Sequence, residues 1–117
     1  MIQADASALC ESEGGRLAEV RNQEQFEKVL EISLTAPFRF WMGGVANPED
    51  TTNYLWLSDS ASIPLDVFWK AGEPNNAAEL CVNFFISQGL NDARCDSLFH
   101  TLCEFGASGD VSVETCT

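Results

Sequence analysis

The chain has 117 residues, 45% of them hydrophobic, which is enough for one globular domain with its own core and too little for two. Eighteen acidic residues against six basic ones give a formal charge of −12, so nucleic acids and anionic lipid surfaces are disfavoured as partners. No run of residues approaches the roughly 20 apolar positions of a membrane-spanning helix, so we expect no membrane insertion.

Two helices are predicted in the first third of the chain. The first spans residues 4–13 and ends at Gly14, where a left-handed backbone costs little. The second spans residues 23–33 and cannot continue past Pro37. Their apolar residues recur at helical spacing: Ala6, Leu9 and Cys10 in the first helix, and Phe26, Val29 and Leu30 in the second.

The start of the second helix carries its own signal. Asn22 is followed three residues later by Gln25, the spacing of a capping box, in which each side chain satisfies a free backbone N–H group of the first turn. The pattern indicates that the helix begins directly after Asn22.

Short aromatic and β-branched runs fill the rest of the chain and indicate strands at 38–42, 54–57, 81–86 and 101–105. Between them, residues 58–80 are too irregular for a regular element and too long for an ordinary connection, and loops of that size are usually functional. Two helices followed by a strand-rich half predict the α+β class.

Five cysteines are present: Cys10, Cys81, Cys95, Cys103 and Cys116. None forms a Cys-x-x-Cys pair, so disulfide bonds are favoured over a zinc or redox site. Four cysteines allow three pairings, and the spacing does not choose among them. The cysteine left over is interpreted as a tail thiol, as an interchain bridge that links an oligomer, or as one half of a truncated pair. Cys116 is our candidate for it.

The chemically dense part of the sequence consists of three short segments, at 72–76, 79–82 and 90–92. They offer only oxygen ligands, and three of these are the carboxylates of Glu73, Glu79 and Asp92. Carboxylates gathered in one place repel one another, whereas a divalent cation converts that repulsion into binding. Because carboxylate and amide oxygens suit Ca²⁺ best, the sequence predicts a calcium site.

Six motifs occur in order along residues 4–105: Leu17-Ala18 after a glycine pair, Trp41-Met42-Gly43-Gly44, Trp69 ahead of Gly72-Glu73-Pro74-Asn75, Glu79-Leu80-Cys81-Val82, Asn91-Asp92, and Cys103-Glu104. Together with the cysteines between them, they resemble the C-type lectin domain. The resemblance implies the double-loop α+β fold over residues 1–105, a tail at 106–117, and an extracellular location.

The resemblance also implies two bridges, Cys10–Cys103 and Cys81–Cys95. By loop entropy, the first would stabilise the fold by about 4–5 kcal/mol and the second by about 3 kcal/mol. Both suit an oxidising compartment.

The family's calcium ligands correspond to Glu73, Asn75, Glu79, Asn91 and Asp92, and the resemblance implies a cis bond between Glu73 and Pro74. In such lectins two neighbouring sugar hydroxyls complete the calcium shell. The Glu-Pro-Asn order implies sugars of the mannose, fucose and N-acetylglucosamine kind. We therefore expect calcium-dependent glycan binding through the side chains Glu73, Asn75, Glu79 and Asn91.

Three departures from the family pattern stand out. Leu90 replaces the usual tryptophan, so the floor of the site is expected to be looser. The amino-terminal strand before the first helix is largely missing, so the terminal sheet is expected to be incomplete. Asn47 and Thr51 stand where acids of a second calcium site are usual, and we expect one firmly bound calcium.

The sequence also bears on functions other than sugar binding. A domain of this kind can bind a protein ligand, in adhesion or immune recognition, without binding sugar. A hydrolase that uses Glu73 and Glu79 is disfavoured, because a metal would keep both carboxylates ionised and leave no general acid. His100 lacks a nucleophile in register, so we expect no catalysis. The three tryptophans, Trp41, Trp56 and Trp69, are expected in the core.

Overall fold

Two helices and seven strands make up the fold in a computed structural model, which describes residues 1–35, 39–74, 79–106 and 110–114. The helices are α1 (Gln3–Ser12) and α2 (Gln23–Thr35). The strands are β1 (Arg16–Leu17), β2 (Phe40–Asn47), β3 (Asp50–Trp56), β4 (Cys81–Phe85), β5 (Gly89–Ala93), β6 (His100–Phe105) and β7 (Asp110–Glu114). Both predicted helices and all four predicted strand regions are present, and the α+β class is confirmed.

All the strands belong to one mixed sheet. Its main path runs β1-β6-β2-β4-β5, while β3 pairs with β2 and β7 pairs with β6. The β2–β6 pair is parallel and the other pairs are antiparallel. The long segment between β3 and β4 forms one large loop outside the sheet. This loop contacts the edge strand β5.

The start of α2 is capped as the sequence predicts. The Asn22 side chain accepts the N–H of Gln25 at 2.9 Å, and the Gln25 side chain accepts the N–H of Arg21 at 2.7 Å. These reciprocal bonds satisfy backbone donors that the first helical turn leaves free.

The two helices cover opposite faces of the sheet, because successive residues of a strand point to opposite sides. On β2, Phe40 and Met42 lie in a core cluster that packs against α2, whereas Trp41 lies in a second cluster with Ala6 and Cys10 of α1. Each face of the central strand is therefore buried under its own helix. Trp41 and Trp56 are fully buried, and Trp69 packs against the larger cluster, so the predicted core role of the tryptophans is confirmed.

The two disulfides have the pairing that the resemblance implies. Cys10–Cys103 joins α1 to β6 across 93 positions, and Cys81–Cys95 joins the start of β4 to the segment after β5 across 14 positions. The first bridge ties the ends of the domain together, and the second closes the β4–β5 hairpin on which Asn91 and Asp92 lie.

One edge of β6 is covered from two directions. The Met1 ammonium donates to the carbonyl of Phe99 at 3.0 Å, and the Phe99 N–H donates back to the Met1 carbonyl at 3.1 Å. Beyond this pair, β7 lies antiparallel along β6 from Thr101 to Phe105. Residues 110–114, within the segment that the sequence predicted as a tail, thus form a strand of the terminal sheet. The expectation that this sheet is left incomplete is wrong, because β7 fills the edge.

Five parts of the described sheet were not predicted as strands: β1, β5, β7, the part of β2 after Met42 and the part of β3 before Tyr54. The strand β1 has only two residues, and β5 has the sequence Gly-Leu-Asn-Asp-Ala, with little β propensity. Their pairing with β6 and β4 makes them strands. These pairings are tertiary contacts, which no local sequence pattern predicts.

A close backbone approach fixes Gly89 at the start of β5. A Cβ atom there would lie 2.6 Å from the carbonyl oxygen of Phe68 and 3.0 Å from the backbone nitrogen of Lys70, and its φ is +143°. Only glycine leaves room for the long loop to reach the sheet at this point.

We expect Gly89→Ala to lower the free energy of unfolding by more than about 2 kcal/mol, because the clash is with backbone that cannot move aside. Gly14→Ala is the matched control. Gly14 also has a positive φ, of +86°, but an added Cβ meets nothing within 4 Å, so its cost should stay near 1 kcal/mol. Urea unfolding of the two variants measures the difference, and equal losses would contradict the steric argument.

Removing residues 107–117 should lower the free energy of unfolding by about 1–3 kcal/mol, because it exposes the edge of β6 that β7 pairs with at five positions. Removing only residues 115–117 is the control and should change little. Chemical denaturation of the three proteins tests this, and an unchanged midpoint in the longer truncation would show that β7 does not stabilise the sheet.

Candidate functional site

The long loop is anchored at its start by a buried acid. Glu19 is 4% exposed, and its carboxylate accepts both the N–H and the hydroxyl of Ser58, at 3.1 and 2.8 Å. The same carboxylate forms an ion pair with Arg21 at 2.6 Å, so its buried charge is compensated. The first residue after Leu57 is thereby fixed to the segment that precedes α2.

The middle of the loop is bound to β5. The N–H of Leu90 donates to the carbonyl of Phe68 at 2.7 Å, and the N–H of Lys70 donates to the carbonyl of Leu90 at 2.8 Å. Trp69, between them, donates its indole N–H to the Pro64 carbonyl at 2.8 Å. Leu90 itself is fully buried. The loop therefore contacts the sheet at the residue directly before Asn91 and Asp92.

The end of the loop is held by β2 and β3. The N–H of Ala46 donates to the carbonyl of Leu80 at 2.8 Å, and the Tyr54 hydroxyl donates to the carbonyl of Glu79 at 2.9 Å. Since β4 begins at Cys81, these two bonds fix the backbone just before the chain re-enters the sheet. Glu79 is consequently held close to Tyr54.

The Tyr54 hydroxyl lies between the end of the long loop and β5. Its oxygen lies 3.5 Å from Oδ2 of Asp92. Burial raises the pKa of Tyr54 to about 12, with contributions from the negative charges of Asp92, Glu79 and Glu73. Asp92 therefore contacts this buried phenol directly, and the charges of the other two predicted acids act in the same direction.

Glu73 shows the strongest effect of this crowding. Burial, a hydrogen bond to Asp92 and the charge of Asp92 together raise the pKa of Glu73 to about 7, against an opposing effect of Lys70. Glu73 and Asp92 therefore lie within hydrogen-bonding reach of each other. The other oxygen, Oε2, is buried and has no hydrogen-bond partner among the described residues. The Glu73–Pro74 bond is cis, as the resemblance implies.

Of the two asparagines predicted as calcium ligands, only Asn91 lies within the described residues. Asn91 lies on β5, opposite Asn83 in register, and is half-buried next to Asp92. Asn75 and Asn76 lie outside the described residues. Within the described ranges, no hydrogen bond joins Asn91 to the three carboxylates. No group of three or more acidic, histidine or cysteine side chains in those ranges is arranged to hold a metal ion by itself.

Two residues of this region were missed by sequence reasoning. Tyr54 was assigned only to a strand, although its hydroxyl contacts the end of the loop. Asn83 is fully buried, and neither its amide nitrogen nor its amide oxygen has a partner among the described residues. A single asparagine in an apolar strand, Cys-Val-Asn-Phe-Phe, is the signal that could have marked it.

The turn around Asn47 and Asp50, where acids of a second calcium site are usual in the family, is satisfied internally. The Asp50 carboxylate accepts the N–H and hydroxyl of Thr52 and the amide of Asn53, and the Thr52 hydroxyl in particular lowers the pKa of Asp50. Asn47 accepts the N–H of Glu49. These polar groups already have partners within their own turn.

A family model described as "Lectin C-type domain" matches residues 1–105. A curated relative, the CD209 antigen-like protein 2 of Macaca mulatta, is 30% identical over 107 residues, which is 89% of this chain but 41% of that protein. The chain therefore spans less than half the length of this relative. No described helix is long and apolar enough to cross a membrane.

Solved structures agree with the family match. TC14, a C-type lectin from the tunicate Polyandrocarpa misakiensis, superposes with a TM-score of 0.79 at 27% identity and covers 88% of both chains. A Ca²⁺-dependent type II antifreeze protein, in its Ca²⁺-free form, superposes with a TM-score of 0.72 at 26% identity, covering 88% of this chain and 82% of its own. The family thus includes proteins of different function on one fold. This chain belongs to the C-type lectin domain family.

Proposed function

We propose that this domain binds calcium in its long loop and uses the ion to bind sugars of the mannose, fucose and N-acetylglucosamine kind. The observation that supports this most directly is the Tyr54 hydroxyl, which donates to the Glu79 carbonyl at 2.9 Å while its oxygen lies 3.5 Å from the Asp92 carboxylate, so that two of the predicted acidic residues meet at one place. Like charges in a poorly solvated place are unfavourable unless a cation compensates them.

The donor set fits calcium. Glu73 has a buried carboxylate oxygen without a partner among the described residues, and burial together with the neighbouring Asp92 raises its pKa. Three carboxylates are too few for the 6–8 oxygen ligands that Ca²⁺ takes, so the amides must contribute. We assign Glu73, Asn75, Glu79, Asn91 and Asp92 as the ligands, with sugar oxygens completing the set.

Bound calcium would supply the positive charge that holds two neighbouring sugar hydroxyls. The protein side chains then read the direction of each hydroxyl, because a carboxylate only accepts hydrogen bonds and an asparagine NH₂ only donates them. Glu73 with Asn75 would serve one hydroxyl, and Glu79 with Asn91 the other. This alternation of acceptor and donor selects sugars whose neighbouring hydroxyls have the matching geometry.

The relatives support the proposal at a general level, since one of the similar structures is a C-type lectin and another is a Ca²⁺-dependent protein.

We further propose an extracellular location, because two disulfides suit an oxidising compartment. The domain itself has no assigned catalytic residue. His100 is exposed at the start of β6.

A protein ligand is the second candidate, and one observation favours it. Leu65 and Val67 in the long loop are 45% and 42% exposed, although large apolar side chains are usually covered. A glycan array with calcium and with chelator separates the two functions. Chelator-sensitive signals from mannose-type glycans would support the first, and an array without signals would favour protein recognition.

Glu79→Ala and Asn91→Ala should each reduce calcium affinity at least tenfold and abolish sugar binding, because each removes one ligand that also contacts the sugar. Asp66→Asn is the matched control: Asp66 is an exposed acid of the same loop and is not assigned as a ligand, so its removal should change affinity less than twofold. Calorimetric titration with Ca²⁺, followed by mannose, gives both constants. Wild-type affinity in either alanine variant would contradict the ligand assignment.

Glu73→Gln should separate calcium binding from the stability of the calcium-free protein. In chelator at pH 8 the variant should be at least as stable as the wild type, because it removes one of three crowded negative charges. The raised pKa of Glu73 gives the sign of the pH dependence. Ionised Glu73 destabilises the folded state in full above pH 7. This destabilisation is lost as the pH falls below 4.5, where Glu73 is protonated in both the folded and the unfolded state. Thermal unfolding in chelator at pH 8 and pH 5 measures the change.

In calcium the order should reverse, since the amide is a poorer ligand and the wild type gains binding energy that the variant loses. A Glu73→Gln variant that is less stable than the wild type in chelator at pH 8 would contradict the proposed crowding of the carboxylates.

A further inference from the structure

We propose that Tyr54 is a positioning residue that holds the two separate segments of the calcium site in register. This inference rests on the proposed function. Tyr54 is not among the ligands that the family motif supplies, and its role follows from the contacts of its ring and its hydroxyl in this chain.

The hydroxyl connects the two segments. It donates to the backbone carbonyl of Glu79, at 2.9 Å, and its oxygen is 3.5 Å from the carboxylate of Asp92. Glu79 lies at the end of the long loop and Asp92 lies on β5, 13 positions further along the chain by their numbering. One buried O–H group is thus the contact that the ligands from both segments have in common.

The ring anchors the hydroxyl. Tyr54 is 2% exposed and packs against the ring of Trp69, with centroids 5.3 Å apart. Trp69 is itself fixed between Phe68 and Lys70, whose backbone groups bond to Leu90. The phenol therefore rests on the middle of the loop, which is bound to β5, while its hydroxyl holds the end of the loop.

The backbone of β3 cannot shift to weaken this contact. Tyr54 pairs with Ala46 of β2, and Ala46 donates its own N–H to the carbonyl of Leu80. The strand pair β2–β3 thus makes two neighbouring bonds to the end of the loop, one from backbone and one from the Tyr54 side chain. Among the bonds of the described residues, removing the hydroxyl would leave the backbone at Glu79 held only through the bond to its neighbour Leu80.

Tyr54→Phe is the decisive variant, because it deletes the hydroxyl and keeps the ring that packs on Trp69. We expect its dissociation constant for Ca²⁺ to rise about three- to tenfold, the cost of one buried hydrogen bond to a group that must be held in place. Ser33→Ala is the matched control. It also removes a buried hydroxyl, which bonds to Leu30 and Ser87 away from the site, so it should lower stability without changing Ca²⁺ affinity.

A second measurement does not depend on calcium. In chelator, the Ala46 amide of Tyr54→Phe should exchange with deuterium at least five times faster than in the wild type, because the end of the loop that accepts its N–H is less firmly held. The Gly43 amide on the same strand, which donates to Ala18 at 2.8 Å, should keep its wild-type rate.

The outcomes separate a failure of the proposed role of Tyr54 from a failure of the proposed function. Ca²⁺ affinity within twofold of wild type in Tyr54→Phe overturns the proposal, as does an equal loss of affinity in Ser33→Ala. If the wild type itself binds no Ca²⁺, the proposed function fails. In that case, faster exchange at Ala46 alone would still support Tyr54 as the residue that positions the loop end, and unchanged exchange would overturn that role too.

Discussion

The repulsion among three carboxylates is the constraint on which the arrangement of the long loop depends. Glu73, Glu79 and Asp92 come from different segments of the chain, and burial, reinforced by their negative charges, raises the pKa of both Glu73 and Tyr54. Something must hold them together against that force. In this chain the answer is a set of backbone hydrogen bonds that fix the start, the middle and the end of the loop to the sheet.

These attachments differ in their chemistry. At the start, a buried acid binds Ser58; in the middle, the backbone of Phe68 and Lys70 pairs with Leu90; at the end, Ala46 and Tyr54 bind the last two residues before β4. The disulfide Cys81–Cys95 then closes the hairpin that carries Asp92. Such attachments restrict the loop before anything binds, so less conformational entropy is lost when the proposed ligands hold an ion. This is the general advantage of a preorganised site.

The sequence was sufficient where the signal is local. Asn22 and Gln25 predicted the start of α2, since a cap is made within one helical turn, and the aromatic runs predicted where four strands lie but not their full extent. It was insufficient where a strand exists only through its partner. Gly44, an unlikely strand residue, belongs to β2 because it pairs with Trp56 of β3. A Cβ atom at this position would lie 2.9 Å from side-chain atoms of Ile63 and Val82, which explains the glycine.

The same distinction applies to the site. The motif predicted that the acids belong together, and the Tyr54 hydroxyl contacts the Asp92 carboxylate and the Glu79 backbone, but this hydroxyl was not anticipated. A tyrosine in an apolar strand is typical of a core residue, and only its partner, a carbonyl 25 positions away, reveals a second use. Asn83 is comparable, because its burial without a partner among the described residues is visible only once β4 lies between its neighbours.

The shared edge of β6 has a consequence for self-association. Met1 pairs with Phe99, and β7 occupies the positions that follow, from Thr101 onward. The backbone groups along this edge are therefore already paired within the chain. An edge occupied in this way offers no template on which a strand of a second molecule could pair, which is the usual first step toward sheet-mediated aggregation.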